Sequence, residues 1–384
     1  MQPRDVVIIG GGISGVAAAY ELAGAGASVT LVEKGDLASM ASGWTLAGVR
    51  QSGRDPSEIP LAVAAVGRWE RLADELDADV EYRQDGNLRL ARTEAEVGAI
   101  ARVVDEGRAL GLPLAYLDGD DARRLAPALA PSILAASSCP TDGHANPLKV
   151  VQAFATAAQR RGAAILTRTE ALSIEVAGGR VGGVRTPCGL YPADIVVVAA
   201  GVYSDRLLAP LSIHLPIAVR HVSAIGTTPL PPLVRQVLGV GNGDFAGRQQ
   251  VDGRFRMTGS GGDWEWPASG LTADAVQPPM GDVAAVLARA VEVLPALAQA
   301  RIARVWGGLI DMTPDALPIL ERAPEIDGLV IAAGFSGHGF CLGPITGRII
   351  RELATTGDSS LPLAAFRRAR FDDLAGQAPM TLHG

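Results

Sequence analysis

Residues 7–15 read VIIGGGISG, and few peptides leave a chain so little choice of fold. The β-branched run at 5–9 predicts a strand. After the glycines, Val16, Ala17, Tyr20, Leu22 and Ala23 recur at helical spacing until Gly24 and Gly26 stop the helix. SVTLVEK, at 28–34, predicts a second strand. Together these make a βαβ unit of about 30 residues, the context in which GxGxxG signals a dinucleotide. Gly10 makes the tight turn, Gly12 lets backbone approach a pyrophosphate, and Gly15 lets helix and strand pack closely. The helix N-terminus adds unpaired N–H groups and a partial positive charge. Glu33 ends the second strand, where a carboxylate accepts bonds from ribose hydroxyls and repels a 2′-phosphate, which disfavours NADP. FAD and NAD both remain open at this point. A glycine-rich turn without a ligand is the weaker reading, because strand, helix, second strand and acid occur in order.

A length of 384 residues suggests two domains, or one large α/β body with an inserted part. The chain is 48% hydrophobic, yet no apolar run nears the roughly 18 residues of a membrane span. No basic region and cleavage site precede the strand at Asp5, so the expected location is the cytoplasm. A net charge of −7 argues against nucleic acid as a partner. Of 34 cationic residues only Lys34 and Lys149 are lysines, so positive charge rests on arginine, which clamps carboxylates in bidentate fashion. Cys139, Cys188 and Cys341 form no metal spacing, nor do the five histidines, and the odd thiol count fits a reducing compartment.

Helical patterning is expected over 58–76, then a hairpin in which DVEYRQ and GNLRLAR flank Asp85-Gly86. Further helices are expected at 93–110 and from Asn146-Pro147 to 162. Strands follow in AAILTRT and ALSIEVAGGRVGGVRT. ADIVVVAAGVYS, at 193–204, is a continuous apolar run that reads as a strand buried on both faces. Residues 214–259 are β-rich, 281–297 helical, and 328–357 form strand, glycine-rich loop and a helix from about Pro344. Dinucleotide-type pieces therefore stand at the start, middle and end, which points to an extended cofactor crossing a domain boundary.

Several segments carry a likeness to a known family: VVIIGGGISG…LVEK, GVRQSG, WERLADELDADVEYRQDGNLRLA, DGHANP, VVVAAGVYSDRL, DMTPDALPIL and AAGFSGHGFCLGPITGRIIREL. Over nearly its whole length the chain resembles the FAD-dependent D-amino-acid oxidase superfamily, in particular the group containing sarcosine oxidase, glycine oxidase and hydroxyproline dehydrogenase. The resemblance implies an α/β and α+β fold. A Rossmann-type FAD-binding domain would be assembled from 1–80, 142–212 and 321–384, and a β-rich substrate domain from 81–141 and 213–320. It implies FAD on Gly10, Gly12, Ile13, Ser14, Gly15, Glu33 and Lys34. Ser42, Gly43, Trp44 and Thr45 would run along the pyrophosphate, with Ala47 and Gly48 following. Ala171 would touch the adenine side, Ala199, Ala200 and Gly201 would close over the ribityl chain, and Gly308, Gly337, His338, Gly339, Phe340, Cys341 and Leu342 would border the isoalloxazine. A helix N-terminus aimed at that loop would favour negative charge on reduced flavin.

The departures from the family carry as much information. Gly308 and Pro147 stand where relatives attach flavin covalently, so FAD is expected to be non-covalent. Ile310 and Cys341 stand where relatives keep a cation for the substrate carboxylate. Arg50 is then the first choice to hold it, with Arg220 and Arg248 in reserve. Arg256 or Met257 takes the place of an oxygen-activating lysine. His338 either polarises flavin and orients substrate, or fixes its loop by bonding a backbone carbonyl. His221 faces substrate or solvent, and Trp264 and Trp266 form a lid or cap the sheet. The expected activity is oxidation of the C–N bond of a small amino acid or N-substituted glycine by hydride transfer to FAD. The resulting imine hydrolyses, and the electrons pass to oxygen or a carrier. Two alternatives are an FAD-bearing subunit of a hetero-oligomeric dehydrogenase and a nicotinamide-dependent dehydrogenase. A homo- or hetero-oligomer fits either way.

Overall fold

The computed structural model describes residues 5–264 and 275–372. Asp5–Ile9 lies inside a six-stranded sheet ordered Ile319–Arg322, Leu329–Ala333, Ile195–Val198, Asp5–Ile9, Ser28–Val32 and Ala164–Leu166. All neighbours are parallel except the outer pair Ile319–Arg322 and Leu329–Ala333. Val7 pairs with Val196 on one side and Thr30 on the other. Val6, Ile8 and Leu31 pack under the helices Ile13–Gly24, Pro147–Arg160 and Gly339–Thr355. Val7, Ile9 and Val32 pack on the opposite face, against the small antiparallel sheet that contributes Ile174, Val181 and Val184. Cover on both faces is why Ile195–Val198 is apolar throughout.

The first and last of these helices meet through small residues. A Cβ on Gly347 would lie 2.5 Å from the Ala17 carbonyl carbon, and one on Gly343 would lie 2.6 Å from Ile13 Cγ1. Close approach here brings both helix N-termini to the same end of the sheet.

A nine-stranded sheet faces that end. Its order is Gly262–Asp263, Ala218–Thr227, Phe255–Gly259, Phe245–Gln249, Val237–Val240, Asn87–Ala91, Ala135–Cys139 and Ala115–Asp118, with Ile302–Met312 paired on Ala218–Thr227. One face, with Leu88, Leu90, Leu238, Phe255 and Ile225, buries itself against the helix Met280–Val293. The other face looks back toward the dinucleotide-type sheet.

The local expectations need three corrections. The hairpin at Asp85-Gly86 does not form. Gly86 does turn the chain at φ +92°, but residues 79–84 make only a bridge from Arg83 to His144. Asn87–Ala91 pairs instead with Ala135–Cys139 and, in parallel, with Val237–Val240. The helix expected over 58–76 breaks into Ile59–Trp69 and Leu72–Leu76. The last helix begins at Gly339, so Pro344 lies inside it. Trp69 Nε1 and Arg68 Nη1 bond the Cys341 and Pro344 carbonyls there, at 2.8 and 2.6 Å. Among the described residues no helix is long and apolar enough to cross a membrane.

Candidate functional site: a cavity between the two sheets

One cavity of about 650 Å³ runs between the C-terminal end of the parallel sheet and the inner face of the nine-stranded sheet. At its first end Gly10 adopts φ +117°, and a Cβ there would sit 2.3 Å from the Ala199 carbonyl oxygen. The helix Ile13–Gly24 has no side-chain cap at its Gly12 N-cap. Ser42 Oγ accepts from Ile13 N at 3.0 Å, and the other early N–H groups are left for a ligand. The Glu33 carboxylate accepts from Gly11 N and Gly35 N, both at 2.7 Å, which holds it beside the glycine turn. Lys34 Nζ lies 3.3 Å from the Tyr203 ring centroid, and burial moves its pKa down.

The second end is built by alternation along strands. Asn87 and Arg89, Val237 and Gly239, Arg220 and Val222, and Gly308 and Ile310 all line the cavity. Leu88 and Leu238, between two of these pairs, pack in the core, because side chains in a strand point to opposite faces. Arg256 enters from Phe255–Gly259, donating to the Thr45 carbonyl at 2.6 Å with its guanidinium 5.0 Å from the Trp306 ring centroid. Burial first, and Arg304 second, push its pKa down to about 10.

A buried charge network closes this end. Glu58, fully buried, pairs with Arg54 Nη1 at 3.2 Å and with His338 Nδ1 at 3.0 Å. Burial, with Arg54 beside it, lowers the His338 pKa, so the imidazole stays neutral near pH 7 while Arg54 and Glu58 carry the charge. Arg50 donates to the Ser52 and Gly53 carbonyls at 2.7 and 3.2 Å. Burial, then Arg54 and Arg89, push the Arg50 pKa down to about 9. Arg89 is pushed down to about 10, by burial and then by Arg54. Asp311, buried where its strand reaches the cavity, accepts from Gly334 N at 2.7 Å, and burial raises it to about 6.

Comparison with known proteins fixes what such a cavity holds. The family described as FAD dependent oxidoreductase matches residues 5–353. The chain belongs to that family. It is 29% identical over 379 residues to a glycine oxidase of Geobacillus kaustophilus, covering 95% of this chain and 97% of that one. It is 28% identical over 382 residues to a sarcosine oxidase subunit beta of Rhizobium meliloti, covering 96% and 88%. Among solved structures, an L-proline dehydrogenase from P. horikoshii superposes with a TM-score of 0.87 at 30% identity, covering 98% and 99%.

The dinucleotide of this FAD dependent oxidoreductase is thus FAD, and the nicotinamide alternative falls. The residues present fit it. Two helices present uncapped N-termini to one cavity, Ile13–Gly24 through Gly12 and Gly339–Thr355 through His338. Such ends favour the negative charge of a pyrophosphate or a reduced ring. Of the residues expected around FAD, Gly10, Gly12, Ile13, Ser14, Glu33, Lys34, Ser42, Trp44, Thr45, Gly48, Ala171, Ala199, Ala200, Gly201, Gly308, Gly337, His338, Gly339 and Phe340 line the cavity.

Five lie behind the wall. A Cβ on Gly15 would strike the Gly10 carbonyl oxygen at 1.9 Å, and one on Gly43 the Ala38 carbonyl oxygen at 2.1 Å, so both serve close packing. Ala47 and Leu342 are wholly buried in the core. Cys341 turns away with the helix, and its Sγ contacts the Arg50 carbonyl oxygen at 3.4 Å.

Two proposed catalytic residues are also withdrawn from the cavity. His221 points to the opposite face of its strand and bonds Asp282 at 2.8 Å. Arg248 is buried among the Leu46 and Ala145 carbonyls and His144 Nδ1. All three of its nitrogens bond structural partners, which sets it off the cavity and away from the carboxylate-anchor role expected of it. Met257 is buried in the core while also bordering the cavity, and Arg256 is the cation on that strand. His338 bonds a carboxylate, not the backbone carbonyl expected of a structural role. Trp264 packs 6.4 Å from the His221 ring, and Trp266 lies outside the described residues.

Arg54, Glu58, Arg89 and Asp311 were not expected. Arg54 and Glu58 carry the i,i+4 spacing of a helical ion pair, and NLRLA alternates with period two, so both signals were present in the chain.

The role expected of Glu33, accepting from ribose hydroxyls at roughly 1.5–3 kcal/mol per charge-assisted bond, is tested by Glu33→Ala. The variant is expected to purify largely without FAD, as read from the ratio of flavin to protein absorbance. Full flavin occupancy would place the acid elsewhere.

Proposed function

We propose that the protein oxidises the C–N bond of a small amino acid or N-substituted glycine, a secondary amine bearing a carboxylate, to an imine that hydrolyses in water. The observation that carries this reading is a cluster of arginines on the wall facing the FAD cradle within one continuous cavity. FAD, when bound, supplies a two-electron acceptor for the hydride of the α-carbon. Arg50 holds the substrate carboxylate and so fixes which hydrogen faces the cofactor, a positioning effect able to remove much of the barrier. The arginines on this wall and the low-polarity residues Val222 and Ile310 favour the neutral amine over its ammonium form, as the reaction needs. His338, held neutral with its Nδ1–H donated to Glu58, presents Nε2 as an acceptor at the cavity wall without adding charge. Arg256 keeps a fixed positive charge on the strand where the resemblance puts an oxygen-activating lysine, and oxygen or a carrier takes the electrons there. The glycine oxidase and sarcosine oxidase relatives support the choice of amine chemistry.

The test is direct. Acid or heat should release yellow FAD from the purified protein into the supernatant, because Gly308 and Pro147 offer no atom for a covalent bond. Anaerobic addition of sarcosine, iminodiacetate, proline, glycine or D-alanine should bleach the bound flavin for at least one of them. Flavin that stays on the denatured polypeptide sinks the non-covalent assignment, and flavin untouched by every amine sinks the reaction. The likeness to a sarcosine oxidase beta subunit supports a second reading, an FAD-bearing member of a hetero-oligomer. A purified chain that bleaches with amine but transfers electrons only when a second subunit is added would establish it.

A further inference from the structure

Asn87 and Arg89 share one face of the strand Asn87–Ala91 and line the cavity, while Leu88 and Leu90 anchor the other face in the core. Asn87 is only 8% exposed, yet its carboxamide makes no hydrogen bond to any described residue. Its oxygen and nitrogen are not sealed within the wall and open on the cavity. The backbone gives the side chain a fixed seat, pairing with Val237 on one flank and Cys139 on the other. A carboxamide withdrawn from bulk water and left unpaired is costly. No hydrogen bond among the described residues offsets that cost, so the group faces a partner that enters the cavity.

The surroundings narrow the chemistry of that partner. Arg89, two residues along the strand, offers donors only, and Arg54 already acts on it as a like charge. A cationic arm on the ligand would add to that repulsion. Val237 beside Asn87 is apolar. Gly239, paired with Arg89, has nothing within 4 Å of the place where a Cβ would sit, so this strand pair leaves room for a ligand arm. A carboxamide carries a donor and an acceptor, and a hydroxyl or a second carboxamide can satisfy both. An apolar arm would leave both unpaired, and a carboxylate would leave the amide oxygen without a donor.

We propose that the substrate amine carries an uncharged group that both donates and accepts, a hydroxyl or carboxamide, and that Asn87 binds it. The proposal rests on the amine oxidation argued above and names its substrate class. Asn87 sits on a strand paired along both edges, the rigid support that a specificity contact needs.

The experiment uses the full-length FAD-loaded protein and matched ligand pairs in which a hydroxyl replaces a methyl group. On the nitrogen arm the pair is N-(2-hydroxyethyl)glycine and N-propylglycine. On the carbon arm it is N-methylserine and 2-(methylamino)butanoate. These amines report through anaerobic flavin reduction. Their thioether counterparts, with sulfur in place of the amine nitrogen, cannot donate a hydride as amines do and report affinity through the shift they cause in the flavin spectrum. The wild-type protein should prefer the hydroxyl member on at least one arm. Asn87→Leu should shrink that preference by roughly 5- to 150-fold, the range for leaving a buried polar group unpaired, while the alkyl member is held as well or better.

Asn87→Leu should also fold, since no structural hydrogen bond is lost, and its melting point without ligand should match the wild type. If leucine is not accommodated, Asn87→Ala removes the same amide, only enlarges the cavity, and should abolish the preference likewise. Equal losses for hydroxyl and alkyl members would overturn the proposal and leave Asn87 a residue that shapes the wall. No hydroxyl preference on either arm of the wild-type protein would also overturn it, with amine oxidation left standing if sarcosine still bleaches the flavin. If the thioethers show a preference that depends on Asn87 while no amine bleaches the flavin, the subsite stands and the amine chemistry falls.

Discussion

Replacing Glu58 with alanine should destabilise the folded protein by about 3–5 kcal/mol, the usual result of stripping one partner from a buried ion pair. Few single side chains here carry as much. Its carboxylate is wholly enclosed and bonded to Arg54 and His338, and Arg54 is itself 2% exposed. Without Glu58 a guanidinium is left in a low-dielectric interior next to Arg50 and Arg89, with Asp142, already bonded to Ser52 and Gln51, as the remaining acid acting on it. The loss is comparable with much of a typical domain's total stability of roughly 5–15 kcal/mol. The expected signature is a large fall in the melting midpoint at matched FAD occupancy. Flavin should also be held less well, since His338 stands at the start of the last helix and lines the cavity. Glu58→Gln keeps the hydrogen bonds but not the charge, and should fall between. The double replacement Arg54→Met with Glu58→Leu removes both charges and should recover much of the midpoint lost by Glu58→Ala. A midpoint for Glu58→Ala close to the wild type would show that the network does not hold this end of the cavity together.

The parts of the fold that could be read from the chain are those decided locally. Strand, glycine turn, helix and acid at 5–34 follow one another within a single packed unit, and the chain states each in order. Asp85-Gly86 shows where this stops. Its turn is real, yet which strand lies beside Asn87–Ala91 is set by contacts with 135–139 and 237–240, which a local pattern does not contain. His221 and Arg220 show a second limit. Period-two alternation says that one of them faces the cavity, but the phase is fixed by the helix Met280–Val293, whose Asp282 captures His221 on the covered face. The same reasoning runs the other way for NLRLA. With Leu88 and Leu90 in the core, Arg89 must point to the other face, and only the fold shows that this face is the cavity and not solvent. Arg248 illustrates a third limit. Its partners are two backbone carbonyls and a histidine about one hundred to two hundred residues away, so nothing near it in sequence marks it as structural.

Arg50→Ala should slow the bimolecular reduction of flavin by the amino acid about 30- to 1000-fold, or some 2–4 kcal/mol in activation, as loss of a buried charge-assisted pair implies. The usual family positions for a carboxylate-binding cation hold Ile310, which lines the cavity without charge, and Cys341, which lies off it. A desolvated carboxylate without a partner costs far more than binding would return. Arg248 is committed to carbonyls off the cavity, and Arg220 is tied to Asp263 and the Gly261 carbonyl, and we propose Arg50, which lines the cavity, as the anchor. Its bonds to the Ser52 and Gly53 carbonyls raise a competing account in which Arg50 only shapes the 50–54 loop. An amine analogue lacking the carboxylate separates the two. If Arg50 binds the carboxylate, the analogue's already poor rate should hardly change on Arg50→Ala, because the group it binds is absent. If Arg50 acts through the loop, amino acid and analogue should lose rate together. Arg50→Lys should recover only part of the rate, since a single ammonium cannot reproduce the bidentate fork. Parallel losses in the two substrates would move the anchor to Arg220.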